Sequence, residues 1–257
     1  MVVEVRHFQE PKAGSEPDEC EDALAWDTLS LTFAIADGAT DSAFQRLWAT
    51  LLVKSFAEHP PAAFTPAWLE QWLKSLQQEW SSSIDWDNLP WHGAVKARET
   101  GALATFLGFR VSPSTLRWSS IAIGDCGLFH FRADGGNRYH LLAWHPLTVS
   151  DDYRLDPSAL SSIRRNYSVM WGEMRRSKGD FEEGDVFVLA TDALGFWIMS
   201  EEERIQSLHS EPPWNDLLLA RSDSDFSRHV EQLRDNRRMR NDDTSMLVVR
   251  MCSLMEE

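Results

Sequence analysis

The stretch VFVLATDALGFW, residues 186–197, joins a short apolar run to a segment with helical spacing, and Asp192 lies close to the junction. A short, strongly apolar run predicts a buried strand. A carboxylate directly after such a strand is held by rigid backbone at the edge of a sheet, where a cleft can form. Asp192 is therefore either the cap of the following helix or part of a functional site.

Three further groups of acidic residues flank predicted strands in the same way. They are Glu21-Asp22 before a strand, Asp37-Gly38 at the end of one, and Asp242-Asp243 before the last. If these strands are neighbours, the carboxylates converge, and converging carboxylates repel one another unless cations neutralise them. Oxygen ligands select Mg²⁺ or Mn²⁺ over zinc, and a glycine allows the backbone to approach an ion closely. Each acid alone has an ordinary explanation as a turn, a cap or a solvated charge, so only the set predicts a metal site.

The apolar pattern has strands first, helices later and no regular alternation of the two, which is typical of the α+β class. Strands are expected at residues 2–8, 22–27, 31–36, 186–190 and 245–251, and helices at 41–58, from Pro66 onward, and before residue 236. Four apolar runs that follow residue 101 resemble an antiparallel meander. Residues 145–183 have little periodicity and are expected to form an irregular, flap-like segment.

The composition excludes several functional classes. The chain has 257 residues and a formal net charge of −15, which repels nucleic acid unless a basic stripe compensates. Its three cysteines, at positions 20, 126 and 252, have no CxxC spacing, which disfavours a zinc site or a disulfide framework and favours a reducing compartment. Because no secretory leader or membrane-spanning run is recognised, the expectation is a cytoplasmic protein with no nucleic-acid or membrane partner.

Six motifs resemble those of the PP2C family of metal-dependent serine/threonine protein phosphatases, in a divergent, bacterial-like form. They are CEDA at 20–23, IADGA at 35–39, TGALATF at 100–106, IAIGDCG at 121–127, VFVLATDALGFW at 186–197 and DDTSMLVV at 242–249. Each motif is weak alone, but six in the right order form a specific signal. The resemblance implies one domain over residues 1–257, built as a four-layer α-β-β-α sandwich with a metal cleft at one edge of its two antiparallel sheets.

The resemblance also implies a role for each matching acid. Two Mn²⁺ or Mg²⁺ ions are expected, and Asp37 would bridge both. The Gly38 carbonyl and Glu21 would serve one ion, whereas Asp192 and Asp242 would serve the other.

Two further acids complete the implied site. Asp22 would act on bound water, which makes it a predicted catalytic residue together with Asp37. Some family members hold a weaker third ion, for which Asp125 and Asp192 are the matching residues. The implied reaction is in-line attack on phosphorus by a metal-bridged hydroxide, without a phosphoenzyme or a cysteine nucleophile.

The chain departs from the family pattern where the substrate binds. The family often has a phosphate-binding arginine four residues before the first acid, and that position is Pro17 here. The substrate-binding residue is therefore unassigned, and so is the acid for the leaving group, for which His92, His145 and water are candidates. Five arginines of the flap-like segment could supply phosphate contacts or form an ordinary charged loop; they are Arg154, Arg164, Arg165, Arg175 and Arg176.

Three functions stay open. The first is hydrolysis of phosphoserine or phosphothreonine on a protein substrate, with a serine/threonine kinase as a further partner. The second is a catalytically weak or inactive regulatory module that binds a kinase or phosphoprotein; Pro17 and Ala193, which replaces a family glycine, favour it, and the retained acids disfavour it. The third is a metallohydrolase that acts on a small phosphoester with the same site.

Overall fold

Two antiparallel sheets form the centre of the structure, a computed structural model that describes residues 2–135, 138–208 and 211–252. In these ranges the strands are β1 (Val2–Glu10), β2 (Ala23–Asp27), β3 (Thr32–Gly38), β4 (Leu103–Ser112), β5 (Arg117–Ile123), β6 (Gly127–Ala133), β7 (Tyr139–His145), β8 (Leu160–Ser161), β9 (Arg175–Asp180), β10 (Val186–Ala190) and β11 (Thr244–Cys252). The helices are α1 (Gln45–Glu58), α2 (Pro66–Ser82), α3 (Trp91–Glu99), α4 (Tyr167–Glu173), α5 (Asp192–Leu208), α6 (Asn215–Leu219) and α7 (Asp223–Asp235). None of the helices in these ranges combines the length and apolarity that a membrane crossing requires.

The two sheets pack face to face, and helices cover both outer faces. The first sheet has the order β1-β11-β10-β6-β7 and the second the order β2-β3-β4-β5-β9, with β8 paired to β4. The core between them joins side chains of both sheets, including Phe109 and Phe187, whose ring centroids are 4.8 Å apart. Helices α5, α6 and α7 pack on the outer face of the first sheet, and α1, α2 and α4 on that of the second. This arrangement confirms the predicted α+β class and the four-layer α-β-β-α sandwich.

Helix α2 begins where the sequence predicts and buries its apolar face. Thr65 has extended backbone, and its Oγ1 accepts a hydrogen bond from Trp68 N at 3.2 Å. Pro66 follows at the first helical position, where its missing N–H is not needed. Trp72 packs on the second sheet, with its ring centroid 5.3 Å from that of Phe106. The tryptophan stripe of α2 is thus part of the core.

The helix predicted at residues 41–58 begins later, at Gln45. Phe44, directly before it, has φ 56° and ψ 38°, a left-handed conformation that a right-handed helix cannot include. The preceding residues form a turn instead, in which Ser42 N and Ser42 Oγ both donate to Ala39 O, at 2.9 and 2.8 Å. Periodicity alone could not reveal this turn, because its few residues do not disturb the apolar spacing of the helix.

The prediction of a meander after residue 101 is wrong. Strands β4 and β5 pair in the second sheet, whereas β6 and β7 pair in the first. The chain changes sheets at residues 124–126, where Gly124 has φ +85° and an added Cβ would lie 2.5 Å from Thr105 Cγ2. Only glycine fits there without strain. Local apolar alternation does not distinguish a hairpin from a crossing between sheets, since both join two buried strands.

Residues 145–183 are more regular than predicted. They contain the short strand β8, helix α4 and strand β9, which pairs with β5 from Arg117↔Asp180 to Ala122↔Arg175. Strand β9 has the sequence RRSKGD and stands at the edge of its sheet. An edge strand with largely exposed side chains needs no apolar alternation, which is why its periodicity is invisible in the sequence.

Candidate active site

Asp37 and Gly38 end strand β3 and meet the start of the first acidic motif. Asp37 is paired in register with Thr105 of β4. A Cβ added at Gly38 would lie 2.9 Å from the backbone oxygen of Glu21 and 3.1 Å from the carbonyl carbon of Gln45. Glycine is therefore required at position 38 for packing, because it lets β3 approach the backbone of Glu21 closely.

Asp22 is buried in a hydrogen-bond network that joins three distant motifs. It is 5% exposed, and its Oδ2 accepts from Thr191 Oγ1 at 3.0 Å. Thr191 Oγ1 in turn accepts from Ser245 N at 2.9 Å. These bonds connect the segments before β2, after β10 and within β11, so three of the predicted acidic segments lie side by side. Asp22 Oδ1 is buried and has no hydrogen-bond partner among the described residues.

Asp125 and Asp192 are also buried. Asp125 lies in the turn that changes sheets, and Asp192 is the first residue of α5. They are 5% and 9% exposed, and the Oδ1 atom of each is buried without a partner in the described part of the chain. Asp192 Oδ2 accepts from Arg240 Nη2 at 2.7 Å. Asp192 is therefore more than a helix cap, since its Oδ1 has no donor among the residues that the structure describes.

The aspartates act on one another electrostatically. Burial raises the pKa of Asp37 well above its usual range, and the charges of Asp22, Asp192, Asp125 and Asp242 raise it further. Burial raises the pKa of Asp125 to about 7, with Asp192 as the next cause. Burial also raises the pKa of Asp192, although Arg240 acts against this shift. The carboxylates thus converge as the sequence predicts, and their negative charge is incompletely balanced.

Glu21 and Asp242 lie at the more open side of the cluster. Glu21 Oε2 accepts from Thr40 Oγ1 at 2.6 Å, and its Oε1 accepts from Gln45 Nε2 at 2.7 Å. Asp242 Oδ1 accepts from the backbone N of the next residue at 3.0 Å. Both carboxylates are therefore oriented by neutral donors, which leave their charge available to a cation.

Asp243 is a buried residue whose role the sequence did not reveal. Its Oδ1 accepts from Lys12 N at 2.9 Å, and its Oδ2 accepts from Glu21 N at 2.8 Å. The carboxylate thus fixes the loop before β2 against the start of β11. The only sequence signal was its position beside Asp242, and nothing there distinguished a ligand from an anchor.

A divalent cation fits this donor set as an open, hydrated site. In the described ranges, no group of three or more His, Cys, Asp or Glu side chains is arranged so that it could hold a metal ion by itself. The donors are nevertheless all oxygens, and the Oδ1 atoms of Asp22, Asp125 and Asp192 are buried with no partner described. Mg²⁺ is often held by one or two carboxylates with several waters, and such a site needs no closed cage of side chains.

Two arginines share a cavity with the aspartates. The cavity has a volume of about 230 Å³, and its lining includes Asp37, Asp192, Arg154 and Arg240. The guanidinium carbons of Arg154 and Arg240 lie 6.0 and 5.8 Å from the ring centroid of Phe196. Arg240 was not predicted, although a cation two residues before the last acidic motif was a visible signal.

The other arginines of the flap-like segment are placed differently. Arg175 lines a neighbouring cavity of about 300 Å³ that also includes Asp125. Arg176 lies over the ring of Trp171, with its guanidinium carbon 4.4 Å from the centroid. Of the five arginines that the sequence singled out, Arg154 alone lines the cavity that holds Asp37.

The nearby cysteines and His145 are poorly suited to proton or covalent chemistry. Burial raises the pKa of Cys20 to about 12 and that of Cys126 well above its usual range, so neither is a thiolate at neutral pH. Burial lowers the pKa of His145 to about 4, so its ring is neutral and cannot donate a proton as an imidazolium.

Comparison with known proteins finds similar solved structures but no match among family models or curated sequences. The solved structures are similar over almost the whole length. PppA, a key regulatory component of T6SS in Pseudomonas aeruginosa, is 17% identical, with a TM-score of 0.61 over 97% of this chain and 98% of that one.

Two structures of PstP give the same result. The Mycobacterium tuberculosis serine/threonine phosphatase PstP/Ppp is 12% identical, with a TM-score of 0.63 over 98% of this chain and 100% of that one. The catalytic domain of PstP in complex with 2 manganese ions is 14% identical, with a TM-score of 0.60 over 98% and 99% of the two chains. The chain has the fold of the PP2C-type serine/threonine phosphatases.

Proposed function

We propose that the chain is a single-domain, metal-dependent protein phosphatase that hydrolyses phosphoserine or phosphothreonine. The observation that carries this proposal is a group of four aspartates, Asp22, Asp37, Asp125 and Asp192, whose pKa values are raised by burial and by neighbouring aspartates. In all of them except Asp37, the Oδ1 atom is buried with no donor among the described residues. Such a group is poorly stable without a cation, and it lies in a fold whose solved examples include one with 2 manganese ions. Its donors are all oxygens, which favours Mn²⁺ or Mg²⁺ over zinc.

The proposed ligands keep the assignments that the sequence motifs imply. Asp37 would contact two ions, with Glu21 and the Gly38 carbonyl on one side and Asp192 and Asp242 on the other. Asp125 would contribute to a third, weaker site. When bound, the ions supply positive charge beside the phosphoryl oxygens and lower the pKa of water.

Asp22 is proposed to receive the proton of the attacking water. Thr191 fixes one of its oxygens, and the other is buried with no donor in the described part of the chain. Its pKa is raised above the usual range, chiefly by burial, which makes its carboxylate a better proton acceptor than an exposed aspartate. In the net reaction, water forms a bond to phosphorus, the bond from phosphorus to the serine or threonine oxygen breaks, and that oxygen leaves with a proton.

Arg154 and Arg240 are proposed to bind the substrate phosphate in place of the family arginine that Pro17 replaces. Both line the cavity that holds Asp37 and Asp192, and both lie near the ring of Phe196. A guanidinium matches the geometry of phosphate oxygens, and its charge balances that of the phosphate. Arg240 already donates to Asp192, so it can orient that carboxylate and contact the phosphate from the same position.

The test is hydrolysis of p-nitrophenyl phosphate and of a phosphothreonine peptide, with Mn²⁺, with Mg²⁺ and with EDTA. The expected result is turnover that needs a metal and falls roughly 100-fold or more in Asp37→Asn and Asp192→Asn. The exposed Asp87→Asn variant serves as the control and should retain full activity. Absence of turnover with either metal, in folded protein, would contradict the proposal.

A regulatory module that binds a kinase or phosphoprotein without hydrolysing it is the second candidate. Pro17 and Ala193 are the departures that favour it, and one protein of the same fold is a regulatory component. The same assay separates the two, because a regulatory module would bind the phosphothreonine peptide and leave it intact. Turnover of p-nitrophenyl phosphate without turnover of the peptide would instead favour a small phosphoester as substrate.

A further inference from the structure

A groove on the outer helical layer is distinct from the aspartate cavity. Its volume is about 840 Å³, within the range of about 300–1,000 Å³ that is typical of ligand sites. Its walls are formed by α2, by the start of the loop after it, by α3 and by residues 162–167. None of its lining residues lines the aspartate cavity, so the proposed chemistry does not explain it.

The groove is held in shape by one buried amide. Gln77, which is 7% exposed, donates through Nε2 to Ser161 O at 2.9 Å and to Arg164 O at 2.7 Å. Its Oε1 accepts from Tyr167 Oη at 2.9 Å. Both ends of this amide therefore attach the segment after β8 to α2, and the groove is a formed feature rather than a gap between loose loops.

Cations and aromatic rings line the groove together. The guanidinium carbon of Arg98 lies 5.2 Å from the ring centroid of Trp86, and Lys74 Nζ lies 5.6 Å from that of Tyr167. The charge of Arg165 also acts on Lys74. Rings beneath cations restrain the long side chains and so reduce the entropy that a ligand must overcome.

Some polar groups that line the groove have no partner among the described residues. Lys74 is paired with Glu70, but no carboxylate is paired with Arg98 or Arg165 in the described structure. The wall also includes Trp80, which is 1% exposed and whose buried Nε1–H has no acceptor among the described residues. In a chain with a net charge of −15, unpaired cations around a shaped, partly aromatic groove indicate a site for an anion.

We propose that this groove binds an acidic peptide segment of a partner protein, with apolar side chains of that segment against the tryptophan and tyrosine rings. The volume and the rings favour a peptide over a small anion. The net charge of −15 disfavours a nucleic acid, since its phosphates would extend beyond the groove over an acidic surface. This inference does not depend on the proposed hydrolysis, because binding can be measured in the absence of any metal.

The test uses fluorescence anisotropy with the full chain and a fluorescein-labelled peptide of sequence Glu-Asp-Leu-Glu-Phe-Glu-Asp. A second peptide, with Gln and Asn in place of Glu and Asp, measures the charge requirement. The groove variant is Arg98→Gln with Arg165→Gln, and the control is Lys54→Gln with Arg221→Gln, which removes two exposed cations outside the groove. All four positions are exposed, so the fold is expected to tolerate the changes.

The acidic peptide is expected to bind, and its affinity should fall roughly tenfold in the groove variant and less than about twofold in the control. The neutral peptide should bind more weakly, and added salt should weaken binding of the acidic peptide more than binding of the neutral one. Hydrolysis of p-nitrophenyl phosphate should be equal in both variants, which separates this proposal from the catalytic one. Absence of binding, equal loss in groove and control variants, or equal affinity for both peptides would overturn it.

Discussion

Replacement of Asp243 by alanine should destabilise the protein through the loop that carries the first acidic pair. Asp243 is 4% exposed and accepts the backbone N–H groups of Lys12 and Glu21, at 2.9 and 2.8 Å. A hydrogen bond to a charged group contributes about 1.5–3 kcal/mol, and a lost acceptor leaves its donors unpaired. Lys12 and Glu21 are only partly buried, so we expect a loss at the lower limit for each bond, about 3 kcal/mol for both together.

Differential scanning calorimetry would measure this loss. For a domain of this size, 1 kcal/mol shifts Tm by about 2–4 °C, so Asp243→Ala should lower Tm by roughly 6–12 °C. The Tm of Asp243→Asn should lie between those of Asp243→Ala and the natural chain, because an amide retains one acceptor oxygen. Asp87→Ala, which removes an exposed carboxylate with no such role, should change Tm by less than about 2 °C.

Asp243→Ala should also weaken Mn²⁺ binding. Glu21 N donates one of the two hydrogen bonds to Asp243. Loss of this bond frees the backbone that positions the Glu21 carboxylate. We expect a higher Mn²⁺ concentration at half-maximal activity in Asp243→Ala, measured below its Tm. A Tm within 2 °C of the natural chain, with unchanged Mn²⁺ dependence, would refute the assignment of Asp243 as an anchor.

Three other predictions follow from the site. Arg154→Gln should raise KM for p-nitrophenyl phosphate roughly tenfold with a smaller change in kcat, whereas Arg176→Gln, which removes a cation over Trp171, should change neither. In protein freed of divalent cations, Tm should fall as pH rises from about 4 to about 7. Burial raises the pKa of Asp125 to about 7 in the folded protein, so the stability that its bound proton provides is lost as the carboxyl ionises. Asp125→Asn should reduce this fall in Tm, and an equal fall in the variant would contradict the assignment to Asp125. Gly38→Ala should lower the free energy of unfolding by about 1–3 kcal/mol, because its Cβ would lie 2.9 Å from the Glu21 carbonyl oxygen, and urea unfolding with no change in midpoint would disprove that contact.

The sequence was sufficient for the architecture where one local pattern had one structural meaning. The apolar run at residues 186–190 is a central strand with all five residues buried, and Thr65-Pro66 begins a helix as expected. It was insufficient where the meaning depended on a distant partner. The crossing at Gly124 and the edge strand β9 depend on which sheet each strand joins, and periodicity does not encode that choice.

The candidate site divides in the same way. The convergence of Asp22, Asp37 and Asp192 was predictable because each lies beside a buried strand, and the order of the motifs supplied the rest. Arg240 and Asp243 were not recognised, since an arginine or aspartate in a charged loop is usually solvated, and only the folded structure places these two against Asp192 and Glu21.

If the aspartate cluster is a divalent-cation site, calorimetric titration of the folded chain with Mn²⁺ will detect the binding. The expected result is uptake of about two ions per chain, with release of protons from the carboxyls whose pKa is raised, and loss of that uptake in Asp37→Asn. Folded protein that takes up no Mn²⁺, or an Asp37→Asn variant that takes up as much as the natural chain, would contradict it.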